Sequence, residues 1–118
     1  MKREHRLRTA AEFRRAREAS GRAWAHPLLV LYVAPNDLAR ARVGITVSGR
    51  VGNAVVRNRV RRRVREALRA RLRNLQGGND LLVVARPLSA RASWTELCGA
   101  LDAVLQRAGA TVAMGAHV

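Results

Sequence analysis

Lysine is nearly missing from these 118 residues: Lys2 stands alone beside 22 arginines, and only eight acids oppose them, for a formal net charge of +15. The acids Glu4, Glu12, Glu18, Asp37, Glu66, Asp80, Glu96 and Asp102 are scattered without obvious pairing. His5, His26, His117 and Cys98 show no metal-ligand spacing, so neither carboxylate acid–base catalysis nor a protein metal site is signalled. Cys98 is the only cysteine, which excludes an internal disulfide framework and fits a reducing, cytoplasmic setting. No apolar run approaches the roughly 20 residues of a membrane helix, and the basic N-terminus lacks the apolar stretch of a secretion signal. Polybasic chains also settle on anionic lipid, but no large apolar face is present for insertion. A polyphosphate partner remains, because each phosphate neutralised releases condensed counterions. Arginine and alanine abundance also fits a biased genomic composition, so not every arginine is read as a contact.

The length fits a single domain over residues 1–118, with an apolar fraction of 48% that suffices for a modest core. Residues 1–8 read as a basic arm with little reason to fold alone. Thr9 and Glu12 form a capping box for a helix over Ala10 to Ala19, whose large apolar side chains are Leu7, just before the cap, and Phe13. Pro27 divides the segment Ala23 to Ala34 into a short strand and a longer one, in which Tyr32 shares a face with Val30 and Leu28. Arg40 to Val47 predicts a further strand with Val43, Ile45 and Val47 on one face. Ser48 to Asn53 is a glycine-bearing loop, and Asn53 caps a long helix running to about Asn74. Asp80 to Ala85 reads as a strand buried on both faces, and Ser93 caps a last helix to about Ala108, with Trp94 in its core stripe. Residues 110–118 read as a frayed tail. The order α-β-β-β-α-β-α, with a strand on each side of the arginine helix, predicts an α+β two-layer sandwich: a small sheet covered by helices.

The stretch Gly52 to Glu66, GNAVVRNRVRRRVRE, carries most of the functional information. Arginine fills six of the nine positions from Arg57 to Arg65, while Val56, Val60 and Val64 recur every fourth residue. The valines share one helical face with Ala67, Leu68 and Leu75, and most guanidinium groups fall outside it. Like charges at i,i+3 and i,i+4 repel, so a helix this dense in arginine points to a polyanion on its surface. The helix start adds its dipole and free N–H groups beside Arg57. GRVGN before it lacks the lysine and hydroxyl of a nucleotide P-loop.

The four aromatics are Phe13, Trp24, Tyr32 and Trp94. Single-stranded RNA is held by stacking bases on aromatics beside a basic groove, and Phe13 with Tyr32 could supply that; the plainer reading is that both pack the first helix on the sheet.

The run GNAVVRNRVRRRVRE, preceded by Val43-Gly44-Ile45-Thr46-Val47-Ser48, closely resembles the protein subunit of bacterial ribonuclease P, and the likeness extends from Arg6-Leu7 to the last helix. The resemblance implies a sandwich with a mixed sheet and a left-handed βαβ crossover, where most such crossovers are right-handed. It implies a protein that assists a catalytic RNA in the magnesium-dependent removal of the 5′ leader from precursor tRNA. Its partners would be that RNA and the precursor, with no membrane and no obligate protein partner, and its magnesium would be held mainly by the RNA. By position, Arg50, Asn53, Arg57, Asn58, Arg59, Arg61, Arg62 and Arg65 would face the catalytic RNA. Phe13, Arg17, Val30 and Tyr32 would line the leader cleft, with no catalytic residue on the protein. The chain departs from the family pattern at Arg17, where a second aromatic is frequent, at Gly49, where a lysine is usual, and at Arg63, where an apolar residue is common.

Overall fold

Three helices cover the two faces of one four-stranded sheet. The computed structural model describes residues 2–111. In chain order the elements are α1 (Ala10–Ala19), β1 (Ala23–Ala25), β2 (Leu29–Pro35), β3 (Arg42–Val47), α2 (Ala54–Arg69), β4 (Asn79–Ala85) and α3 (Trp94–Arg107). The sheet order is β1-β2-β4-β3, antiparallel except for the β3–β4 pair. That parallel pair is joined through α2, which makes the expected βαβ unit and the expected α+β class.

Strand alternation divides the side chains between the two layers. Leu29 and Leu31 of β2, Val43 and Val47 of β3, and Leu81, Val83 and Ala85 of β4 are buried in the main core. Val60, Val64, Ala67 and Leu68 of α2 close that core together with Leu97, Ala100, Leu101, Val104 and Leu105 of α3. The opposite face carries a smaller cluster of Leu7, Ala16 and Leu82, with Phe13, Tyr32 and Val84 at its margin. β4 contributes to both clusters, which explains its unbroken apolar run.

Several expectations need correction. The N-terminal arm is packed onto the sheet: Arg6 pairs with Val43, the Leu7 N–H donates to the Val43 carbonyl, and Leu7 is 5% exposed. Burying one such leucine contributes about 1.5–3 kcal/mol, enough to dock a short basic segment. Helix α2 ends at Arg69 and not near Asn74; a 3-10 turn over Leu72–Asn74 follows and returns Leu75 to the core. Leu28 lies outside β2 and packs on the main core, away from the face of Tyr32. Trp94 is 45% exposed, because the first residue of α3 projects past the edge of the layer. Ala110 is buried and Thr111 pairs with Leu75, so the tail is held that far; residues 112–118 lie outside the described residues.

Candidate nucleic-acid interface

Helix α2 starts where Asn53 caps it, its side-chain oxygen accepting from the Val56 N–H at 3.0 Å. At about 100° per residue the arginines then sort into three strips. Arg57, Arg61, Arg65 and Arg69, each four residues after the last, run down one flank. Arg59 and Arg63 run down the other, and Asn58, Arg62 and Glu66 form the crest between them. The flanks differ in what lies beside them. Arg59 and Arg63 donate to the carbonyls of Ala90 (3.3 Å) and Ala92 (2.8 Å), in the segment joining β4 to α3. The Arg57–Arg69 flank faces β3 and the N-terminal arm, since Arg65 lines a cavity with Arg6, Arg8 and Gly44.

Glu66 is the only acid on α2, and it pairs with Arg69. Among the described residues, Arg57, Arg59, Arg61, Arg62, Arg63 and Arg65 have no carboxylate within ion-pair distance. Arg61 donates to Asn58 Oδ1 at 2.8 Å, an exposed contact that orders the side chain without neutralising it. Arg50 is exposed in the loop, its N–H held by Ser48 Oγ at 3.2 Å. Six unneutralised cations along less than three turns form a high-density anion surface.

Phe13, Arg17, Val30 and Tyr32 come together on the other face of the sheet. The capping box at Thr9 and Glu12 sets the start of α1, so that Phe13 falls onto Gly44. A Cβ at Gly44 would lie 2.8 Å from Phe13 Cε2 and 2.9 Å from Leu7 Cδ1, so glycine is what lets the ring lie against the strand. Tyr32, Leu82 and Gly44 stand in one row across the sheet, with Val30 beside Val84 in the next row but one along β2. Phe13, Val30 and Tyr32 are each half-buried: one side packs and the other is open. They therefore satisfy the packing role and leave an accessible surface as well.

A partly buried network centred on Asp80 anchors this face. Arg42 forms a bidentate pair with Asp80 (2.9 and 2.8 Å) and also donates to Glu12 Oε2 at 3.0 Å; Asn36 completes Asp80 at 2.7 Å. The backbone N–H groups of Arg8 and Thr9, then Arg42, hold the Glu12 carboxyl below its ordinary range. Sequence reasoning missed this network, since its members lie far apart in the chain. It also missed Arg6, Arg8 and Arg69, although the four-residue spacing of Arg57, Arg61, Arg65 and Arg69 was a visible signal for the last.

The family model described as Ribonuclease P matches residues 1–109. The chain belongs to the ribonuclease P protein family. It is 44% identical over 108 residues to the ribonuclease P protein component of Herpetosiphon aurantiacus, covering 92% of this chain and 87% of that one. Its fold is similar to that of a Staphylococcus aureus RNase P protein mutant, with a TM-score of 0.83 at 28% identity, covering 91% of this chain and 90% of that one. The Thermotoga maritima RNase P protein gives 0.77 at 27% identity, covering 86% and 96%.

Arg17, Gly49 and Arg63 each have distinct surroundings. Arg17 places its guanidinium 5.2 Å from the centre of the Tyr32 ring and donates to the Tyr32 hydroxyl at 3.4 Å, so a planar cation lies over that ring. Gly49 adds no side chain to the loop, and Arg57 Nη1 comes within 3.7 Å of where its Cβ would be. Arg63 is half-buried and spends its charge on the Ala92 carbonyl, closing the 3-10 turn over Pro87–Arg91.

Proposed function

We propose that this chain is the protein subunit of a ribonuclease P ribonucleoprotein, in which a catalytic RNA removes the 5′ leader of precursor tRNA. The observation that carries the reading, beside family membership, is the pair of surfaces on opposite faces of one sheet. An unneutralised arginine helix suits a folded RNA backbone, and a half-open aromatic face suits a single strand. Arg57, Arg61 and Arg65, with Arg50, Asn58, Arg59 and Arg62, bind the catalytic RNA. The exposed amide of Asn53 adds to that surface while its oxygen caps the helix. Phe13 and Tyr32 stack leader bases, Val30 floors the cleft, and Arg17 covers a base from above. The cytoplasm is the setting that fits, and no protein partner is needed for this division of labour. No helix among the described residues is long and apolar enough to cross a membrane.

The magnesium ions of the reaction belong to the RNA in this reading. Among the described residues no three of His, Cys, Asp and Glu converge, and Glu12, Asp80, Glu66 and Asp102 each face an arginine. The side chains of the described residues that crowd the α2 surface are cationic and do not fit a hard divalent metal, which takes oxygen ligands. The protein lowers the metal requirement by screening: each arginine on an RNA phosphate replaces part of the counterion atmosphere that magnesium otherwise supplies.

The test is cleavage of a precursor tRNA by a bacterial ribonuclease P RNA at low magnesium, with and without the protein. Cleavage at the mature 5′ end that depends on the protein is expected; no stimulation by a folded, RNA-bound protein would leave only a general RNA-binding domain. With Phe13→Ala or Tyr32→Ala, precursor binding should weaken by about 1–3 kcal/mol per lost stacking platform, with mature tRNA spared. An equal loss for both substrates would return the two rings to a packing role alone.

A further inference from the structure

The sheet has two edges, and the chain treats them differently. At β3 the N-terminal arm adds backbone pairing, through the Arg6–Val43 bridge and the Leu7 N–H on the Val43 carbonyl at 2.8 Å. At β1, among the described residues, no backbone group bonds the outer side. His26 and Leu29 exchange both hydrogen bonds (2.8 and 3.2 Å) at the turn between β1 and β2. By antiparallel alternation Trp24 then bonds Leu31, and the peptide groups of Ala23 and Ala25 point away from β2. A side chain fixes that direction: Arg107 Nη1, from the end of α3, donates to the Ala25 carbonyl at 2.9 Å. Both alanines are exposed.

Two cations stand beside this edge. Arg22 places its guanidinium 4.0 Å from the centre of the Trp24 ring, and that of Arg107 lies 5.9 Å from the same centre. Neither has a carboxylate partner among the described residues. The indole, which packs against the main core, thus holds two like charges next to the strand. Arg107 also guards the edge, since a strand that pairs with Ala25 must first take its carbonyl from the guanidinium. An uncharged strand offers Arg107 nothing in return, whereas an acidic one offers a carboxylate.

We propose that the β1 edge is a docking site for an extended acidic segment of another protein, which pairs with Ala23 and Ala25 as an added strand. The N–H and C=O of Ala23 and the N–H of Ala25 bond the new strand, and the Ala25 carbonyl follows when Arg107 moves to a carboxylate. Acids at alternate positions of the segment fall on one face of the sheet, the face of Trp24, and meet Arg22 and Arg107. A nucleic acid could use the two guanidinium groups but has no ladder to match the peptide groups. The net charge of +15 disfavours a second copy of the chain. The site lies at the sheet edge opposite β3 and uses none of the RNA-facing residues, so it stands independently of the ribonuclease P reading.

The experiment titrates the full chain with an end-blocked peptide alternating glutamate and threonine, read residue by residue from amide shifts and amide hydrogen exchange. The Ala23 and Ala25 amides should shift and exchange more slowly. The same peptide with glutamine for glutamate should bind the edge about five- to tenfold more weakly, the worth of two exposed ion pairs. Arg22→Ala/Arg107→Ala should erase that preference. Arg14→Ala/Arg15→Ala, which removes equal charge from exposed positions of α1, should keep it. A backbone N-methylated glutamate–threonine peptide retains its charge but cannot pair, and it should leave both amides unprotected. If that peptide or a uridine oligonucleotide protects Ala23 and Ala25 equally, the edge is an anion site and strand pairing is overturned. Binding confined to the arginines of α2, with no response at the two alanines, overturns the docking site as well.

Discussion

Replacing Arg57, Arg61 and Arg65 together with alanine should weaken RNA binding and stabilise the fold at the same time. The three share one flank, have no carboxylate partners among the described residues, and repel one another at four-residue spacing. A like-charge i,i+4 pair costs a few tenths of a kcal/mol, and the triple change removes three such pairs (Arg57/Arg61, Arg61/Arg65 and Arg65/Arg69, the last already softened by Glu66) while adding the best helix former. Unfolding should therefore shift upward by roughly 0.5–1 kcal/mol. If each arginine meets one phosphate, the slope of log K against log salt should flatten by about 2 to 3, at about 0.7–0.9 per contact. Between 50 and 200 mM salt the wild type should then lose about 20- to 40-fold more affinity than the variant. Filter binding to a ribonuclease P RNA across that salt range, with thermal melts of the free protein, checks both halves. Arg63→Ala is the contrast: it should lower stability by about 1 kcal/mol through the lost Ala92 bond and change the slope little. A triple variant with the wild-type slope would refute the assignment of this flank to RNA.

Two further outcomes follow from the aromatic face. Gly44→Ala should destabilise the protein by about 1–3 kcal/mol in chemical denaturation, because the new methyl meets Phe13 and Leu7 at under 3 Å; an unchanged midpoint would mean that the ring moves aside freely. Glu12→Gln should blunt the acid sensitivity of folding. The native Glu12 carboxyl sits below its ordinary value of 4.5, so its contribution is complete above that value and is lost as pH falls through the lower native one. Wild type and variant should thus converge in stability as pH drops below 4.5, and parallel pH–stability curves would contradict it.

The helices and strands were legible because their signals are local. Thr9 with Glu12 forms the expected capping box, Ser93 caps α3 as expected with Glu96 closing a second box, and Pro27 separates β1 from β2. The end of α2 was not legible, because Leu72 and Leu75 continue the apolar period whether the chain stays helical or tightens into a 3-10 turn. Trp94 fits the apolar stripe of α3 by spacing alone, yet it is the first residue of the helix and is 45% exposed. The arm was the largest miss. Leu7 stands among charges in the sequence, and what buries it is a strand residue, Val43, and a side-chain-free position, Gly44, which local patterning does not connect to it.

The same limit applies to the arginines. In the sequence all six from Arg57 to Arg65 look alike, since a helical period separates only the core side from the solvent side. What distinguishes them is the neighbour on each flank: Ala90 and Ala92 beside Arg59 and Arg63, Arg6 and Arg8 beside Arg65. Those neighbours come from opposite ends of the chain and are brought in by β4 and β3. Charge density therefore identifies the kind of partner, whereas the direction in which the charge points is a property of the fold. An arginine whose guanidinium already serves a buried carbonyl, as Arg63 does for Ala92, gives up packing when it turns to a phosphate. Arg57, Arg61 and Arg65 turn at no such cost, so under the proposed function the flank toward the arm is the one expected to meet an RNA backbone first.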